Sequence, residues 1–497
     1  MGVQVSVVDP DVTGTPPPGP AALPTEADVE TCLRVMAQAR AADPADPRWA
    51  AVHEAAAHLH RTGKKTRKAA RDAERRRRDH EAMAATTRYR EQDPSPEPVP
   101  PGPQDRAARA EPGDRSAPAR LAGTRRCYVC KSAYRQVHPE YHLLCPECAE
   151  ENMARRHARC DLRGRRAIVT GGRVKIGFQL TLKLLRDGAD VLVTTRFPRD
   201  AARRLAAVPD AEAWLDRVHV RGVDLLDLAA VAGLLESVQR RFGHLDVLVN
   251  NAAQTIRRPA AYHREVRAAE RAPLRGLAAR IDVADVPETA AVAAPVEPVP
   301  ALTAPSGSGQ AVTRRDALEA LFPAGRTDET GQPLDLRERN SWSLRLHEVD
   351  PAEWLEVQLV NSFAPFLLTS RLRGLLEASP WPDRYVVQVS AMEGSFSREQ
   401  KTVRHPHTNM AKAALNMLTR TAAADYTASG IHMNSVDTGW VTDERPHPDK
   451  TAQREAGFRP PLDVIDGAAR VYDPIVRGVG GNRMSGLFLK DYRPVDW

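Results

Sequence analysis

Two cysteine pairs, Cys127-Tyr-Val-Cys130 and Cys145-Pro-Glu-Cys148, stand fourteen residues apart. Each CxxC places two thiolates on one tight turn, and two such turns supply the four sulfurs of a tetrahedral structural zinc site. The competing reading is a redox-active dithiol, for which one pair would suffice. Four thiolates leave no open position for a substrate, so the expected role is structural or a docking surface. His138 and His142 lie between the pairs and either could replace a thiolate, while Cys32, His157 and Cys160 are left over. The segment between the pairs is too short to build an apolar core, so metal is expected to hold it together.

A second set of residues is spaced for phosphate. The run Thr170-Gly171-Gly172-Arg173-Val174-Lys175-Ile176-Gly177 follows a short apolar stretch, Ala167 to Thr170. It leads into Phe178–Arg186, whose apolar residues recur at helical spacing. Strand, glycine turn and helix present backbone N–H groups and a helix N-terminus to a dinucleotide pyrophosphate. Asp190–Thr195 predicts the next strand, ending at Arg196 with no acidic residue. An acid there would bind the adenosine ribose of NAD, whereas an arginine accommodates the 2′-phosphate of NADP. NADP(H) is therefore preferred, with NAD(H) possible. The alternative for Arg196 is a solvated strand end.

The elements that must position these groups follow in order. Further strands are expected at Val218–Val223 and Leu245–Asn250, a last helix at Asp463–Val476 capped by Asp463, and a last strand at Gly486–Lys490. The 497 residues, with 40 prolines and 5% aromatics, imply more than one domain and long stretches outside any core. Residues 1–120 read as a helical and disordered extension: a Pro-rich lead-in over 1–24, a possible hairpin of Glu26–Arg40 against a helix carrying Trp49 to Leu59, and a linker over 91–120. Ten Lys or Arg between Arg61 and Arg78 could hold nucleic acid phosphates, though a solvated basic helix is the simpler reading. Residues 121–160 form the four-cysteine zinc module and 161–497 the nucleotide-binding domain. No run of about 18 apolar residues predicts a membrane span. Paired CxxC cysteines without a disulfide framework suggest a reducing, cytoplasmic setting.

With these landmarks in order the chain resembles the short-chain dehydrogenase/reductase family. TGGRVKIG stands for the family's TGxxxGxG, Asp224-Leu225 for its adenine contact, and Asn250-Asn251-Ala252-Ala253 for its NNAG. The resemblance implies an α/β fold with a doubly wound parallel sheet of Rossmann type, a dimer or tetramer, and a small-molecule substrate. It further implies that Asn361 anchors a relay water, Ser390 steadies the substrate oxygen, Lys412 holds the nicotinamide ribose, and Gly439 and Thr442 contact the nicotinamide. Two departures stand out. Lys175 replaces the middle glycine, either crowding the turn or pairing with a phosphate. Thr408 replaces the tyrosine of YxxxK, the family's general acid or base.

A phenol titrates at about 10 and a neighbouring lysine lowers it; an aliphatic hydroxyl is far less acidic. Three readings stay open: His405 or His407 donates the proton, Lys412 donates it directly or through a water on Thr408, or the reaction is lost. The first two make an oxidoreductase that interconverts a carbonyl and an alcohol. The third makes a nucleotide-binding sensor or scaffold working through the cysteine module and basic arm. An insertion at about 258–340, with a basic cluster of Arg257, Arg258, His263, Arg264 and Arg267, either forms a lid or projects into solvent. The charged segment beyond Thr442, with Arg445, His447, Lys450, Arg454 and Arg459, favours an anionic or polar substrate.

Overall fold

The strands alternate their side chains between two cores, and this alternation builds the sheet. Ala167, Val169, Val191, Val193, Val247, Val249, Tyr385 and Val387 face one apolar cluster, while Ile168, Leu192, Leu248 and Val386 face the other. A strand buried on both faces needs apolar residues at consecutive positions, as a parallel sheet covered by helices requires. The computed structural model describes residues 23–91, 119–285, 320–328, 330–398 and 401–497. It divides into two compact units, Met1–Arg77 and Arg78–Trp497. The expected lead-in and linker, and the low-complexity middle of the insertion, fall almost wholly outside the described residues.

In the first unit, α1 (Glu26–Ala41) starts at a capping box of Thr25 and Asp28, and α2 begins at Ala50 and ends at Ala84. The basic run is thus part of one 35-residue helix. The two helices meet, with Ala39 buried, His53 Nε2 3.0 Å from Ala39 O and Trp49, Val52 and Ala56 half-buried, but Val29, Leu33, Met36 and Leu59 stay exposed.

The second unit continues with α3 (Thr87–Glu91), the hairpin β1 (Arg120–Arg126) and β2 (Ala133–Gln136), and α4 (Pro146–Arg156). Next come β3 (Arg166–Thr170), α5 (Lys175–Arg186), β4 (Asp190–Thr195), α6 (Pro198–Ala206), β5 (Val218–Gly222), α7 (Leu228–Arg241) and β6 (Val247–Asn250). The insertion supplies α8 (Arg264–Glu270) and β7 (Asp282–Ala284). The chain ends with α9 (Pro351–Gln358), α10 (Ala364–Arg371), α11 (Arg373–Glu377), β8 (Arg384–Ser390), α12 (Pro406–Ala428), β9 (Ile431–Asp437), α13 (His447–Glu455), α14 (Val464–Val479), β10 (Phe488–Lys490) and β11 (Arg493–Val495). The nine-stranded sheet runs β11-β10-β9-β8-β6-β3-β4-β5-β7, parallel except for β10 against β11. Strand order reverses between β3 and β6, the switch point where such sheets open a crevice. The edge strand β7 was not anticipated: Asp282–Ala284 is too short to show a period, and only its pairing with β5 makes it a strand.

The cysteine module corrects a second expectation. It has an apolar core of its own, with Leu121, Tyr134, Val137, Tyr141, Leu144 and Ala149 buried together with Met83 and Leu462. The short loop alone could not supply this; its neighbours in the fold complete it. Ion pairs fix the module to α14. Arg156 donates to Asp463 at 2.6 Å and Asp466 at 2.8 Å, Arg88 donates to Asp463 at 2.6 Å, and Tyr141 donates to Asp466 at 2.7 Å. Burial raises Asp463, but Arg156 and Arg88 outweigh it and hold the carboxyl well below its ordinary value. Asp463 also caps α14, accepting from the Ile465 and Asp466 amides. Removing one partner of a buried charge cluster strands the others. Arg156→Met is therefore expected to lower unfolding free energy by about 3–5 kcal/mol in urea denaturation; a loss under about 1 kcal/mol would show that the cluster does not dock the module.

Candidate functional site

Hydrogen bonds between two side chains and the backbone gather the switch point. The Thr170 hydroxyl, at the end of β3, accepts from the amides of Asn251 at 2.9 Å and Ala252 at 3.0 Å. Asn251 Nδ2 donates back to Thr170 O at 2.9 Å and Gly171 O at 3.2 Å. Gly171 has φ 70°, and a Cβ there would stand 3.0 Å from Ala252 Cα. The turn therefore presents bare backbone, with Ile176 and Gly177 opening α5. Lys175 has φ 53°, in the left-handed region where glycine is the easy residue. Its ammonium lies 3.2 Å from Glu444, which accepts from the Thr442 hydroxyl at 2.8 Å. Lys175 thus reaches across the cleft to a carboxylate of its own chain. Burial raises Glu444, but Lys175, Lys450, the Thr442 hydroxyl and Arg258 together outweigh this and bring it to about 2.

At the far end, Arg196 leaves β4 exposed and lines the cleft, with its guanidinium 5.7 Å from the Phe197 ring centroid. Arg173 is paired with Asp200 at 2.6 Å. Asp224 accepts from the Leu226 amide at 3.1 Å, and Asp224, Leu225 and Ala253 line the same cleft. An anion entering there meets Arg196, for which no carboxylate partner is found among the described residues.

At the near end, α12 turns Thr408, Lys412 and Asn416 to one side, four residues apart, and all three are buried. Lys412 Nζ donates to Val389 O at 2.7 Å, and the next residue, Ser390, donates through Oγ to Asn416 Oδ1 at 2.6 Å. Sequence reasoning missed Asn416; its signal was the one-turn step beyond Lys412. Gly394 allows this packing, since a Cβ there would come 2.5 Å from the Lys412 carbonyl carbon. Burial lowers Lys412 to about 8, with Glu393 acting in the other direction. Thr408 Oγ1 is buried without a hydrogen-bond partner among the described residues.

Asn361 lies in a π-turn, Leu359–Phe363, between α9 and α10. Its Oδ1 accepts from the Gln254 amide at 2.6 Å and its Nδ2 donates to Gln254 O at 2.9 Å. His407 is fully buried and lies 3.5 Å from Glu353. It borders a small apolar hollow with Trp354 and Leu355, and is not among the residues lining the cleft. His405 does line the cleft, stacked on Trp342 with centroids 3.9 Å apart.

The cleft encloses about 1750 Å³ and runs from Arg196 and Asp224 past the glycine turn to Ser390, Lys412 and His405; Asn361, His407, Thr408 and Asn416 are not among the residues that line it. Ser390, Lys412, Gly439 and Thr442 stand along it with the glycine turn. The insertion borders it through Arg257 to His263, Arg267, Asp328 and Gln332, and the cysteine module through Tyr128 and Lys131. Part of the basic cluster is neutralised: Arg257 meets Glu356 at 2.8 Å, and Arg258 pairs with Asp335.

The four cysteine sulfurs lie within 4.8 Å of one another, and Cys130 Sγ is 3.7 Å from Cys145 Sγ. A tetrahedron with metal–sulfur bonds of about 2.3 Å has an edge of about 3.8 Å. Hydrogen bonding from Ser132 lowers the Cys130 thiol to about 6. His142 instead meets Arg459 O at 3.3 Å, and His138 meets Glu150 at 3.1 Å, so neither histidine stands with the four sulfurs.

Residues 165–271 match the sequence model of the short chain dehydrogenase family, and residues 338–456 that of enoyl-(acyl carrier protein) reductase. An uncharacterized protein of Acanthamoeba polyphaga mimivirus is 31% identical over 368 residues, 71% of each chain. Carbonyl reductase [NADPH] 1 of Sus scrofa is 39% identical over 102 residues, 20% of this chain and 34% of its own length. Among solved structures, the NADPH-bound carbonyl reductase from chicken fatty liver is 17% identical with a TM-score of 0.42, covering 68% of this chain and all of that one.

A lysine lowered by burial binds fewer protons folded than unfolded between about 8 and its ordinary 10.5. Stability must rise with pH across that window, by up to about 1.4 kcal/mol per unit. Lys412→Met removes this rise. Denaturation curves from pH 7 to 11 that run parallel in wild type and variant would disprove a depressed Lys412.

Proposed function

The chain belongs to the short-chain dehydrogenase/reductase family, and on that footing we propose an NADP(H)-dependent oxidoreductase that interconverts a carbonyl and an alcohol on a small polar or anionic molecule. The observation that carries this reading is the buried lysine, lowered to about 8, beside Ser390 at the mouth of the glycine-turn cleft. The residues present fit a dinucleotide. A Cβ at Gly177 would come 2.3 Å from Gly171 O, so the turn stays free of side chains where phosphates would lie. Gly171, Ile176 and Gly177 would hold the pyrophosphate, with Thr170 fixing the turn. Asp224, Leu225, Asn251, Ala252 and Ala253 would border the adenosine, and Gly439 and Thr442 the nicotinamide. Arg196 favours the 2′-phosphate of NADP over NAD.

The dinucleotide, when bound, supplies or accepts the hydride. The chain's own residues handle the proton. Lys412 as an ammonium spends one N–H on Val389 O, which leaves two to reach the substrate oxygen or a water beside the Thr408 hydroxyl. Its lowered pKa makes it an effective acid near neutrality, a role an aliphatic hydroxyl cannot fill. Ser390, oriented by Asn416, steadies the same oxygen, and Asn361 braces the loop at Gln254 that borders the cleft.

Thr408 itself favours a second reading, a nucleotide-binding sensor or scaffold, because its hydroxyl is a poor proton donor. NADPH oxidation with a panel of carbonyl compounds separates the two. Ser390→Ala and Lys412→Ala are expected to lower kcat by about 10²–10⁴. Binding of NADPH with no turnover of any compound, together with a gain of activity in Thr408→Tyr, would establish the sensor instead.

The described residues also support a homo-oligomer: α9, α10 and α12 leave Leu355, Phe366, Met410 and Met417 exposed. No helix among the described residues is long and apolar enough to cross a membrane. Cys127, Cys130, Cys145 and Cys148 hold a structural zinc in this reading. Metal analysis of freshly purified protein should give about one zinc per chain, lost in Cys127→Ser; a stoichiometry near zero removes the site.

A further inference from the structure

The cysteine module does more than cap the fold: two of its side chains, Tyr128 and Lys131, line the cleft that holds Ser390 and Lys412. Both belong to the first cysteine turn. Cys127 N–H donates to Ser132 O at 2.9 Å, Lys131 N–H to Cys127 O at 3.1 Å, and Tyr128 N–H to Leu143 O at 2.8 Å. Lys131 has φ 62°, in the left-handed region that side chains rarely adopt. The Tyr128 ring is capped by Lys131 at 5.0 Å and Lys490 at 5.7 Å from its centroid.

From there the contacts run into the site. Tyr128 Oη accepts the Trp440 amide at 2.9 Å, and Val441 packs on the module's apolar core. Asp437, three residues before Trp440, accepts from the Gly439 amide at 3.0 Å, from Lys490 at 3.1 Å and from the Met392 amide at 2.8 Å. Asp437 is also the register partner of Ser390 in the sheet. Two residues beyond Trp440, Thr442 meets Glu444, which holds Lys175 of the glycine turn.

We propose that Tyr128 is a positioning residue for this cleft, and that metal loading of the four cysteines sets the geometry of the Gly439–Glu444 wall and hence which substrates the cleft admits. The substrate part of this proposal rests on the oxidoreductase reading; the positioning part does not. Metal fixes the Cys127–Cys130 turn, the turn fixes the phenol, and the phenol fixes the backbone from which Thr442 and Glu444 project. Tyr128 and Trp440 give this wall an aromatic face with Lys131 beside it, while Lys490 is matched by Asp437.

Hydrogen exchange over residues 438–446 in the full-length zinc-loaded protein tests the positioning. Tyr128→Phe removes the acceptor of the Trp440 amide, and stripping zinc from wild type with a chelator frees the turn. Both are expected to speed exchange at least about tenfold, a loss of about 1.4 kcal/mol of local protection. Exchange unchanged in either case overturns the proposal. In turnover, Tyr128→Ala and Tyr128→Phe, which both remove the acceptor of the Trp440 amide, should raise KM for carbonyl substrates about tenfold with kcat within about twofold. Equal KM values across the carbonyl panel overturn the substrate part. If wild type turns over nothing, the oxidoreductase reading fails, and the exchange measurement still decides whether Tyr128 positions the wall.

Discussion

One side-chain hydroxyl joins the two strand ends between which the cleft opens. Thr170 accepts two consecutive amides from the turn after β6, and Asn251 returns two hydrogen bonds to the turn after β3. In a parallel sheet the ladder ends at the strand termini, and the backbone beyond has no partner of its own. Here the two emerging chains satisfy one another. That leaves Gly171 fixed in a left-handed conformation with nothing between its backbone and the cleft. The remaining walls are arranged around this junction: the glycine turn on one side, β8 and α12 on the other, and the segment after β9 closing the end.

The Lys412 end of the cleft shows how burial changes what a residue type can do. An exposed lysine is a strong base with no use as an acid at neutral pH. Lys412, buried where Gly394 lets the chain pack against its backbone, is lowered to about 8 by desolvation, although it donates a hydrogen bond to Val389 O. Asn416 completes the arrangement by accepting from Ser390, so two polar side chains on one helix face, Lys412 and Asn416, meet the end of a single strand.

The cysteine module is bound into this arrangement by charge and by apolar packing together. Arg156 and Arg88 meet Asp463 and Asp466 at the start of α14, while Leu462 and Val441 complete the module's core. Asp463 has two tasks at once, capping the helix and receiving the arginines. The segment that closes the cleft therefore lies between two anchored elements, α14 and the cysteine turns.

Much of the fold was legible in the residues, because its signals are local. Consecutive apolar positions in Ala167–Thr170 and Asp190–Thr195, helical spacing in Phe178–Arg186, the Asp463 cap and the paired CxxC turns each span only a few residues, and short-range sterics and hydrogen bonding decide them. The resemblance drawn from those landmarks also led to the members of the cleft, Gly171, Ser390 and Lys412 among them. What the sequence could not contain was the set of partners that closure of the sheet brings together across long intervals. Lys175 finds Glu444 269 residues away, and Tyr128 finds Trp440 312 residues away. His407 lies two residues from the cleft-lining His405 yet borders a different hollow, because the start of a helix turns adjacent side chains in different directions. Composition and spacing determined which elements form and which chemistry they carry; only tertiary packing decided which side chains share a cleft, since that depends on contacts between segments with no local signal of one another.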